Sequence, residues 1–367
     1  MFKNNTLKEI ALLFFKLGSI SFGGPAAHIA MMEDEVVKKR KWISQQHFLD
    51  LIGATNLIPG PNSTEMTMHC GHERAGWKGM FVAGISFIFP AVLITMVFAW
   101  MYQEYGQLPE VTPFIYGIKP AVIAIIISAV YRLGKKALKN TTLGILGVLT
   151  LTACVFGLNE IVALFACGAI GLGLYFIKNS TSKTVSFAPF LLLNVSSLKV
   201  LWIFFKVGAL LYGSGYVLFA FLDAELVSTG LLTRQELIDA IAVGQFTPGP
   251  VLSTATFIGW QLNGFWGALA ATIGIFLPSF LFVAILNPLM PRLRKSKAIS
   301  AFLDAVNIAA VAVIIAVCIE IGKDTLTDWK TTSIAILSVI LVFVFKKLNS
   351  AFIVLGASIL GFLLTLL

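Results

Sequence analysis

Two Pro-Gly-Pro tripeptides, at residues 59–61 and 248–250, interrupt apolar stretches of this chain where a membrane helix would otherwise continue. Proline has no backbone N–H group, and glycine resists regular helix. Inside a bilayer, an unpaired backbone group is costly unless protein or water satisfies it. Both breaks are therefore predicted to be buried in protein or to line a cavity, and they are the first candidates for a functional site.

The composition places these breaks in a membrane protein. Hydrophobic residues make up 57% of the 367 residues and charged residues 12%, whereas a soluble domain carries about 25% charged residues. The net charge of +9 is compatible with nucleic-acid binding, but the lysines and arginines lie in short loops between apolar stretches, as they do in membrane proteins. We expect a lipid bilayer as the surroundings, no nucleic-acid partner, no cofactor and, without a nucleotide-binding motif, no direct use of ATP.

The chain is an internal duplication. Lys16 recurs as Lys206, 190 positions later, and Pro90 recurs as Pro278, 188 positions later, with the two Pro-Gly-Pro elements in between. So constant an offset over the whole length indicates a tandem repeat. We divide the chain into two repeats, residues 1–183 and residues 184–367.

Each repeat predicts the same helices. A first apolar helix with a glycine-rich end is followed by two short apolar segments around the Pro-Gly-Pro element and by four full spans. The short segments are too short to span a bilayer, so we predict that they form a re-entrant hairpin of two half-helices. The fold class is an all-α integral membrane bundle of about ten crossings with two re-entrant hairpins. The first helices are predicted at 7–32 and 196–222, the half-helices at 45–58, 62–75, 235–247 and 251–263, and the spans at 78–102, 112–132, 142–158, 160–177, 265–287, 299–321, 331–347 and 351–367.

An odd number of crossings in each repeat gives the two repeats opposite orientations in the membrane. The distribution of positive charge agrees with this topology. With residues 38–41 in the cytoplasm, nineteen of the 27 Lys and Arg residues fall inside and five outside, while Lys16, Lys119 and Lys206 lie within spans. Cytoplasmic loops of membrane proteins carry such an excess. We therefore predict an inverted-topology repeat.

The helix turn after each Pro-Gly-Pro is the predicted anion seat, because a helix N-terminus offers free N–H groups and a positive dipole end. Lys16 and Lys206 would add charge from within the membrane, or they snorkel to an interface instead. The glycine-rich stretches that end or break the first helices would line the same cavity or allow close helix packing. The predicted substrate-binding residues are Lys16, Gly23, Gly24, Pro59, Gly60, Pro61, Asn62, Ser63, Thr64, Lys206, Gly213, Pro248, Gly249, Pro250, Ser253 and Thr254.

Glu65, His69 and His72 lie on one face of the half-helix that follows Pro61, and the second repeat has no equivalent of them. Histidine titrates near neutral pH, so Glu65 and His69 are candidates for proton coupling. A metal site on His69 and His72 is an alternative, although three ligands on one helix would still need others from elsewhere. Simple polar packing in the hairpin is a third interpretation. We predict no resident metal.

The stretch Phe22-Gly23-Gly24-Pro25, the acidic and basic loop before Trp42 and the two Pro-Gly-Pro elements together resemble the chromate ion transporter family in its long-chain, two-domain form. The resemblance covers essentially the whole chain. It implies a multi-pass protein of a bacterial-type inner membrane that moves chromate, with sulfate as a second substrate, and whose halves have opposite orientation. The second repeat has Gly213-Ser214-Gly215 without the proline, which leaves open whether both repeats contribute equally to the site.

The resulting expectation is a secondary transporter of inorganic oxyanions, not an enzyme, with the anion held between two half-helix N-termini near the membrane midplane. An anion channel is one alternative, since it would use the same parts without alternating access. A membrane-embedded metalloenzyme that uses His69 and His72 is the other. The oligomeric state stays open, with a homodimer among the possibilities.

Overall fold

The computed structural model describes residues 2–22, 24–55, 58–106, 108, 111–179, 197–212, 215, 217–286, 296–345, 348 and 350–366. Within these ranges the regular elements are fourteen α-helices, two π-helical segments and one short 3-10 turn, and no strand occurs. The prediction of an all-α bundle is confirmed.

The first repeat contains seven α-helices. A π-helical segment, Glu33–Lys39, extends the second of them. The helices are α1 (Phe2–Ile20), α2 (Pro25–Met32), α3 (Gln45–Thr55), α4 (Asn62–Tyr105), α5 (Thr112–Ala137), α6 (Thr141–Val155) and α7 (Glu160–Asn179).

The second repeat follows the same order. A π-helical segment again extends its second helix, at Asp223–Val227, and a 3-10 turn, Val251–Ser253, leads into the long helix. The helices are α8 (Ser197–Leu210), α9 (Val217–Leu222), α10 (Arg234–Phe246), α11 (Thr254–Leu286), α12 (Lys297–Thr325), α13 (Trp329–Val344) and α14 (Ser350–Thr365).

The structure divides both first helices and both long helices. The helix predicted over 7–32 is α1 and α2, separated at residues 21–24, and the helix predicted over 196–222 is α8 and α9. The backbone is non-helical at Ala75 and Gly76 inside α4, and at Asn263 and Gly264 inside α11. Each long helix is therefore a half-helix joined to a full span at the position that the sequence predicted.

Five described helices are long and apolar enough to cross a membrane, namely α4, α5, α7, α11 and α12. Three further apolar helices, α6, α13 and α14, have 15 or 16 residues. At about 1.5 Å per residue they are shorter than the bilayer core of about 30 Å. The protein is a multi-pass membrane protein, and the count of ten crossings stays a prediction.

Repeat-equivalent helices pack in equivalent ways. Helix α1 lies against α4, and α8 lies against α11. A Cβ atom on Gly18 would lie 2.2 Å from the Phe87 carbonyl oxygen, and one on Gly208 would lie 2.4 Å from that of Ile275. Small residues let helices approach this closely within a membrane. The pairs are repeat mates, so the duplication extends from sequence to packing.

Helices α5 and α12 are repeat equivalents that pack side by side and run antiparallel. Just after the end of α5, Lys139 pairs with Asp304 near the start of α12 at 2.6 Å. Near the start of α5, the Tyr116 hydroxyl donates a hydrogen bond to Asp328, which follows the end of α12. Antiparallel repeat mates are what an inverted repeat requires.

The two repeats also interlock. Helices α6 and α7 of the first repeat pack on α12 of the second, while α13 and α14 pack on α5. Each repeat therefore surrounds the central helix of the other. The orientation of the repeats relative to the membrane stays a prediction.

Candidate functional site

The two Pro-Gly-Pro tips each bind the break after the first helix of the other repeat. The amide of Gly60 donates a 2.7 Å hydrogen bond to the Leu211 carbonyl, and the amide of Gly249 donates a 2.8 Å hydrogen bond to the Ser21 carbonyl. Ser21 and Leu211 are repeat mates, as are the two glycines. The two hydrogen bonds are therefore equivalent contacts, related in the way that contacts across a two-fold symmetric interface are. They place each Pro-Gly-Pro tip beside the break in the first helix of the other repeat.

Only glycine fits at these tips. Gly60 has a φ of 140° and Gly249 a φ of 89°, values that side chains on L-residues rarely allow. A Cβ atom on Gly60 would lie 2.1 Å from Glu65 Oε1 and 2.4 Å from Ser279 Oγ. One on Gly249 would lie 2.8 Å from the Cβ atom of Ala91. Ala91 and Ser279 are repeat mates, so each tip packs against the long helix of the other repeat.

Pro61 and Pro250 stand at the N-cap positions of the helical turns that follow, and neither turn has a side-chain cap. The first amides of such a turn have no partner within the helix. The sequence predicted the amides of residues 62–64 and 251–254 as donors for an anion. In the structure the amides of Thr64 and Ser253 donate instead to the Pro61 and Pro250 carbonyls, at 2.8 and 2.9 Å. The amides of Ser63, Val251 and Leu252 remain as candidate donors. The structure places both turns among buried residues.

Several buried side chains beside the tips also lack a hydrogen-bond partner among the described residues. Thr64 and Ser253 are repeat mates with an exposed fraction of 0%, and neither Thr64 Oγ1 nor Ser253 Oγ has a partner. Gln245 Nε2, on a buried side chain next to the second tip, also has no partner among the described residues. Thr254, in contrast, donates to the Val251 carbonyl at 2.8 Å. Buried polar groups normally have partners, so these side chains are the candidate ligand-binding groups at the tips.

Glu65 and His69 are buried on the half-helix after Pro61, with exposed fractions of 0% and 1%. The Glu65 carboxyl group lies beside the first tip and close to the Ser279 hydroxyl group of the other repeat. His72 is only partly buried, with its ring 5.4 Å from the ring of Trp77 in an edge-to-face arrangement. No three His, Cys, Asp or Glu side chains lie together as metal ligands in the part of the chain that the structure describes. The geometry gives the metalloenzyme alternative no support.

The two lysines of the predicted site pair with carboxylates. Lys16 Nζ lies 3.9 Å from Glu35 Oε1, and Lys206 Nζ lies 2.6 Å from Glu225 Oε2. The acids are repeat mates on the two π-helical segments. The Lys16 side chain is 61% exposed and that of Lys206 is 36% exposed. The structure thus places both lysines in ion pairs, apart from the buried hydroxyl groups at the tips.

Glu35, on the π-helical segment that extends α2, is surrounded by several cationic side chains. Lys39 donates a 3.0 Å hydrogen bond to Glu35, and Arg40 also contacts its carboxylate. These bonds, that of Lys39 first, hold the pKa of the Glu35 carboxyl below its usual value. Lys16 is therefore one of three cationic side chains that surround the Glu35 carboxylate, together with Lys39 and Arg40.

The glycine-rich breaks are only partly described. Gly24 is the N-cap of α2, with a φ of 81°. Two predicted site residues, Gly23 and Gly213, lie outside the described residues.

A cavity of about 390 Å³ leads from the end of α5 to the first tip, and we call it the inner vestibule. At the end of α5 its lining includes Lys136, Lys139 and Asp304. At the other end it reaches Ile58 and Asn62, on either side of the first Pro-Gly-Pro. Lysines at the mouth raise the local concentration of anions. No local sequence pattern predicts this cavity, because its walls come from α5 and α12, which are far apart in the chain.

A second cavity of about 410 Å³, the outer vestibule, lies at the opposite end of α5. Seven of its lining residues are repeat mates of residues that line the inner vestibule, so the two cavities are related by the duplication. Their walls differ in charge, since the mates of Lys136 and Lys139 are Asp324 and Thr327. The seven outer residues are Thr112, Ile115, Tyr116, Lys119, Asp324, Thr325 and Thr327.

Nearly the whole chain matches one known protein family. The sequence model of the family described as Chromate transporter matches twice, at residues 8–172 and at residues 198–362. This chain belongs to the chromate transporter family. The two matches correspond to the two repeats, so the family unit is the half and the chain carries two copies.

Curated relatives match over nearly the full length of the transporter. A chromate transport protein of Cupriavidus metallidurans is 32% identical over 97% of this chain and 92% of that protein. A probable chromate transport protein of Synechococcus elongatus is 31% identical over 97% of this chain and 95% of that protein. A chromate transport protein of Pseudomonas aeruginosa is 28% identical over 95% of this chain and 90% of that protein. No solved structure matches.

Proposed function

We propose that this protein is a secondary transporter of inorganic oxyanions in the cell inner membrane, with chromate as the main substrate and sulfate as a competitor. The relatives named as chromate transport proteins support the substrate. The buried centre between the two tips supports the anion class. Chromate and sulfate are both tetrahedral oxyanions, so size and hydrogen bonding must separate them.

The pair of buried hydroxyl groups, Thr64 and Ser253, is the observation that carries this proposal. They are repeat mates, each stands in the first turn after a Pro-Gly-Pro, and neither has a partner among the described residues. An oxyanion would accept hydrogen bonds from both hydroxyls and from the amides of Ser63 and Leu252, which are also repeat mates. Those donors replace the water that the anion loses on entering the protein.

Neutral donors suit a transporter better than a buried lysine does. A substrate must bind well enough to be desolvated, yet it must also leave. Lys16 and Lys206 are paired with Glu35 and Glu225, so they supply only a weak field to the centre. We propose that hydroxyl and amide groups hold the anion and that the two lysines belong to its surroundings.

The reciprocal contacts and the paired vestibules support alternating access. The inner vestibule reaches Ile58 and Asn62, while none of the described residues that line the outer vestibule belongs to a tip. We propose that this conformation opens to the cytoplasm. Exchange of the two repeats' conformations would close the inner vestibule and extend the outer one, as inverted repeats allow.

Glu65 is our candidate for coupling to protons, with His69 one turn further along the same half-helix. The Glu65 carboxyl lies beside Gly60 and Ser279, at the seat itself. An ionised carboxylate there would repel an oxyanion, while the protonated acid would donate a hydrogen bond to it. Proton binding and anion binding at the tips would therefore favour each other.

The test is the flux of radiolabelled chromate into proteoliposomes that contain the parent protein, with and without a pH gradient. We expect saturable uptake that sulfate inhibits and that unlabelled chromate on the opposite side accelerates. Uptake that neither saturates nor responds to the pH gradient or to chromate on the opposite side would favour a channel. Thr64→Val and Ser253→Ala should each weaken chromate binding about tenfold, the effect of one lost hydrogen bond to a charged group.

Thr150→Val is the matched control for this experiment. Thr150 is also buried, but its hydroxyl donates to the Leu146 carbonyl of its own helix. The proposal is wrong if chromate affinity is the same in the parent, Thr64→Val and Ser253→Ala while all of these proteins remain folded.

A further inference from the structure

Lys119, Asp239 and Tyr102 form a buried polar cluster at the floor of the outer vestibule. Lys119 Nζ lies 3.1 Å from Asp239 Oδ1, and the two side chains are 14% and 6% exposed. The Tyr102 hydroxyl donates a 2.7 Å hydrogen bond to Asp239 Oδ2. The cluster joins α4 and α5 of the first repeat to α10 of the second. The transport function proposed above uses none of these three residues.

The cluster breaks the symmetry of the two vestibules. The repeat mate of Lys119 is Asn307, which lines the inner vestibule at the equivalent position. The repeat mate of Asp239 is also an acid, Asp50. The two repeats therefore differ in the lysine and not in the aspartate. A cation in a buried position is costly to keep. Because the lysine occurs in the outer vestibule and not at the equivalent position of the inner one, we look for a function specific to the outer vestibule.

The charges around the cluster show what Lys119 can do. Among the described residues that line the outer vestibule, Lys119 is the one cation, and Glu236 and Asp324 add negative charge besides Asp239. Asp324 is itself paired with Arg234 at 3.4 Å, and most of the other lining residues are uncharged. Lys119 is therefore the group in this lining that would attract a dianion. The donors that now hold Asp239 are an ammonium group and a phenol hydroxyl, the same kinds of group that hold an oxyanion.

We propose that the outer vestibule contains an oxyanion-binding subsite centred on Lys119, and that Asp239 occupies it in this conformation in place of the substrate. The proposal rests on the transport function proposed above. When an oxyanion binds, it replaces the Asp239 carboxylate on Lys119 and Tyr102. Asp239 returns when the anion leaves, so the subsite releases its ligand readily.

The exchange has a mechanical consequence. Asp239 lies on α10, the half-helix that leads to the second tip, while Lys119 lies on α5. A smaller apolar cavity shares Tyr102 and Asp239 with the outer vestibule and extends to Phe246 at the end of α10. An anion on Lys119 would therefore break the ion pair that links α10 to α5 and weaken the attachment of the second hairpin.

The test is chromate–chromate exchange in sealed right-side-out vesicles, where the half-saturating chromate concentration is measured separately for the external and internal faces. Lys119→Asn, which copies the repeat mate, should raise the external value about tenfold and change the internal value less than about twofold. Asp239→Asn should lower the external value several-fold, because it removes the competitor and leaves the lysine. The double variant should resemble Lys119→Asn.

A purely structural ion pair gives a different pattern. Both single variants would then lose exchange, and the double variant, which leaves no unpaired charge, would recover it. That pattern overturns the inference, as does an equal change on both faces in Lys119→Asn. If Asp239→Asn does not fold, the test rests on Lys119→Asn alone. The inference then requires that this variant raise the external half-saturating concentration more than the internal one.

Two further variants complete the design. Asn307→Lys places the equivalent cation in the inner vestibule and should lower the internal half-saturating concentration several-fold. Lys323→Asn removes an exposed lysine paired with Glu320, and both values should stay unchanged. If the parent protein does not exchange chromate at all, the proposed function fails; if it does and the Lys119 variant keeps its external value, only this inference fails.

Discussion

The amide of Gly249 donates a 2.8 Å hydrogen bond to the carbonyl of Ser21, which lies more than two hundred residues earlier in the other repeat. The reverse contact, from Gly60 to Leu211, has a length of 2.7 Å. Together they connect each hairpin tip to the break in the opposite first helix. Movement of one tip would therefore act directly on the other repeat, as the alternating access proposed above requires.

Gly249→Ala and Gly60→Ala should each lower the free energy of unfolding by about 1–3 kcal/mol, because the new Cβ atom meets neighbours in a packed site. Both glycines have positive φ, which adds backbone strain. The measurement is the melting temperature of the purified protein in detergent. Gly322→Ala is the control, since a Cβ atom there meets nothing within 4 Å. Equal stability of all three variants would show that the tips are not tightly packed.

Lys16→Ala and Lys206→Ala should change chromate affinity by less than about threefold, since each lysine is already paired with a glutamate and exposed pairs contribute about 0–1 kcal/mol. Calorimetric titration of folded protein with chromate measures this, with Lys297→Ala as an exposed control. A tenfold or greater loss in both variants would instead place the lysines in the anion site, as the sequence predicted.

Glu35 should make stability depend on pH. Lys39 and Arg40 lower the pKa of the Glu35 carboxyl from its usual 4.5, so its ion pairs stabilise the folded protein fully above about pH 4.5 and lose their effect as the pH falls through the lowered pKa. Glu35→Gln should therefore melt at a lower temperature than the parent at pH 7, and the difference should shrink in acid. A difference that is constant from pH 7 to pH 3 would contradict this assignment.

Glu65→Gln should flatten the pH dependence of chromate transport, because glutamine keeps the shape of the side chain and cannot titrate. His69→Gln should do the same if the histidine passes the proton on. Initial uptake rates between about pH 5 and 8, the range in which histidine titrates, provide the measurement. Glu73→Gln, on the partly exposed end of the same half-helix, is the control. An unchanged profile in both variants would leave these residues a packing role.

Membrane topology is tested by cysteines placed at Lys39 and Ser228, which are exposed and lie in corresponding regions of the two repeats. In a background without the four native cysteines, a membrane-impermeant thiol reagent should reach the first position only from the cytoplasm and the second only from outside. Labelling of both from the same side would rule out opposite orientations of the repeats.

The sequence by itself determined the local architecture. Proline and glycine act on the backbone of their own neighbourhood, so the positions of Pro59 to Pro61 and Pro248 to Pro250 were enough to predict two hairpins of half-helices. The repeat offset and the alternation of apolar and polar stretches gave the helices that follow. The buried hydroxyls Thr64 and Ser253 were also identified, because they stand in the first turn after a proline.

The tertiary structure decided which of those parts meet. The position of a lysine inside an apolar helix indicates that the side chain needs a partner, but it does not identify that partner. The structure shows that Lys16 pairs with Glu35 and that Lys119 pairs with Asp239. The cross-repeat contacts of Gly60 and Gly249 and both vestibules depend on residues far apart in the chain. Such contacts are set by how helices pack in three dimensions, and no local pattern of residues encodes them.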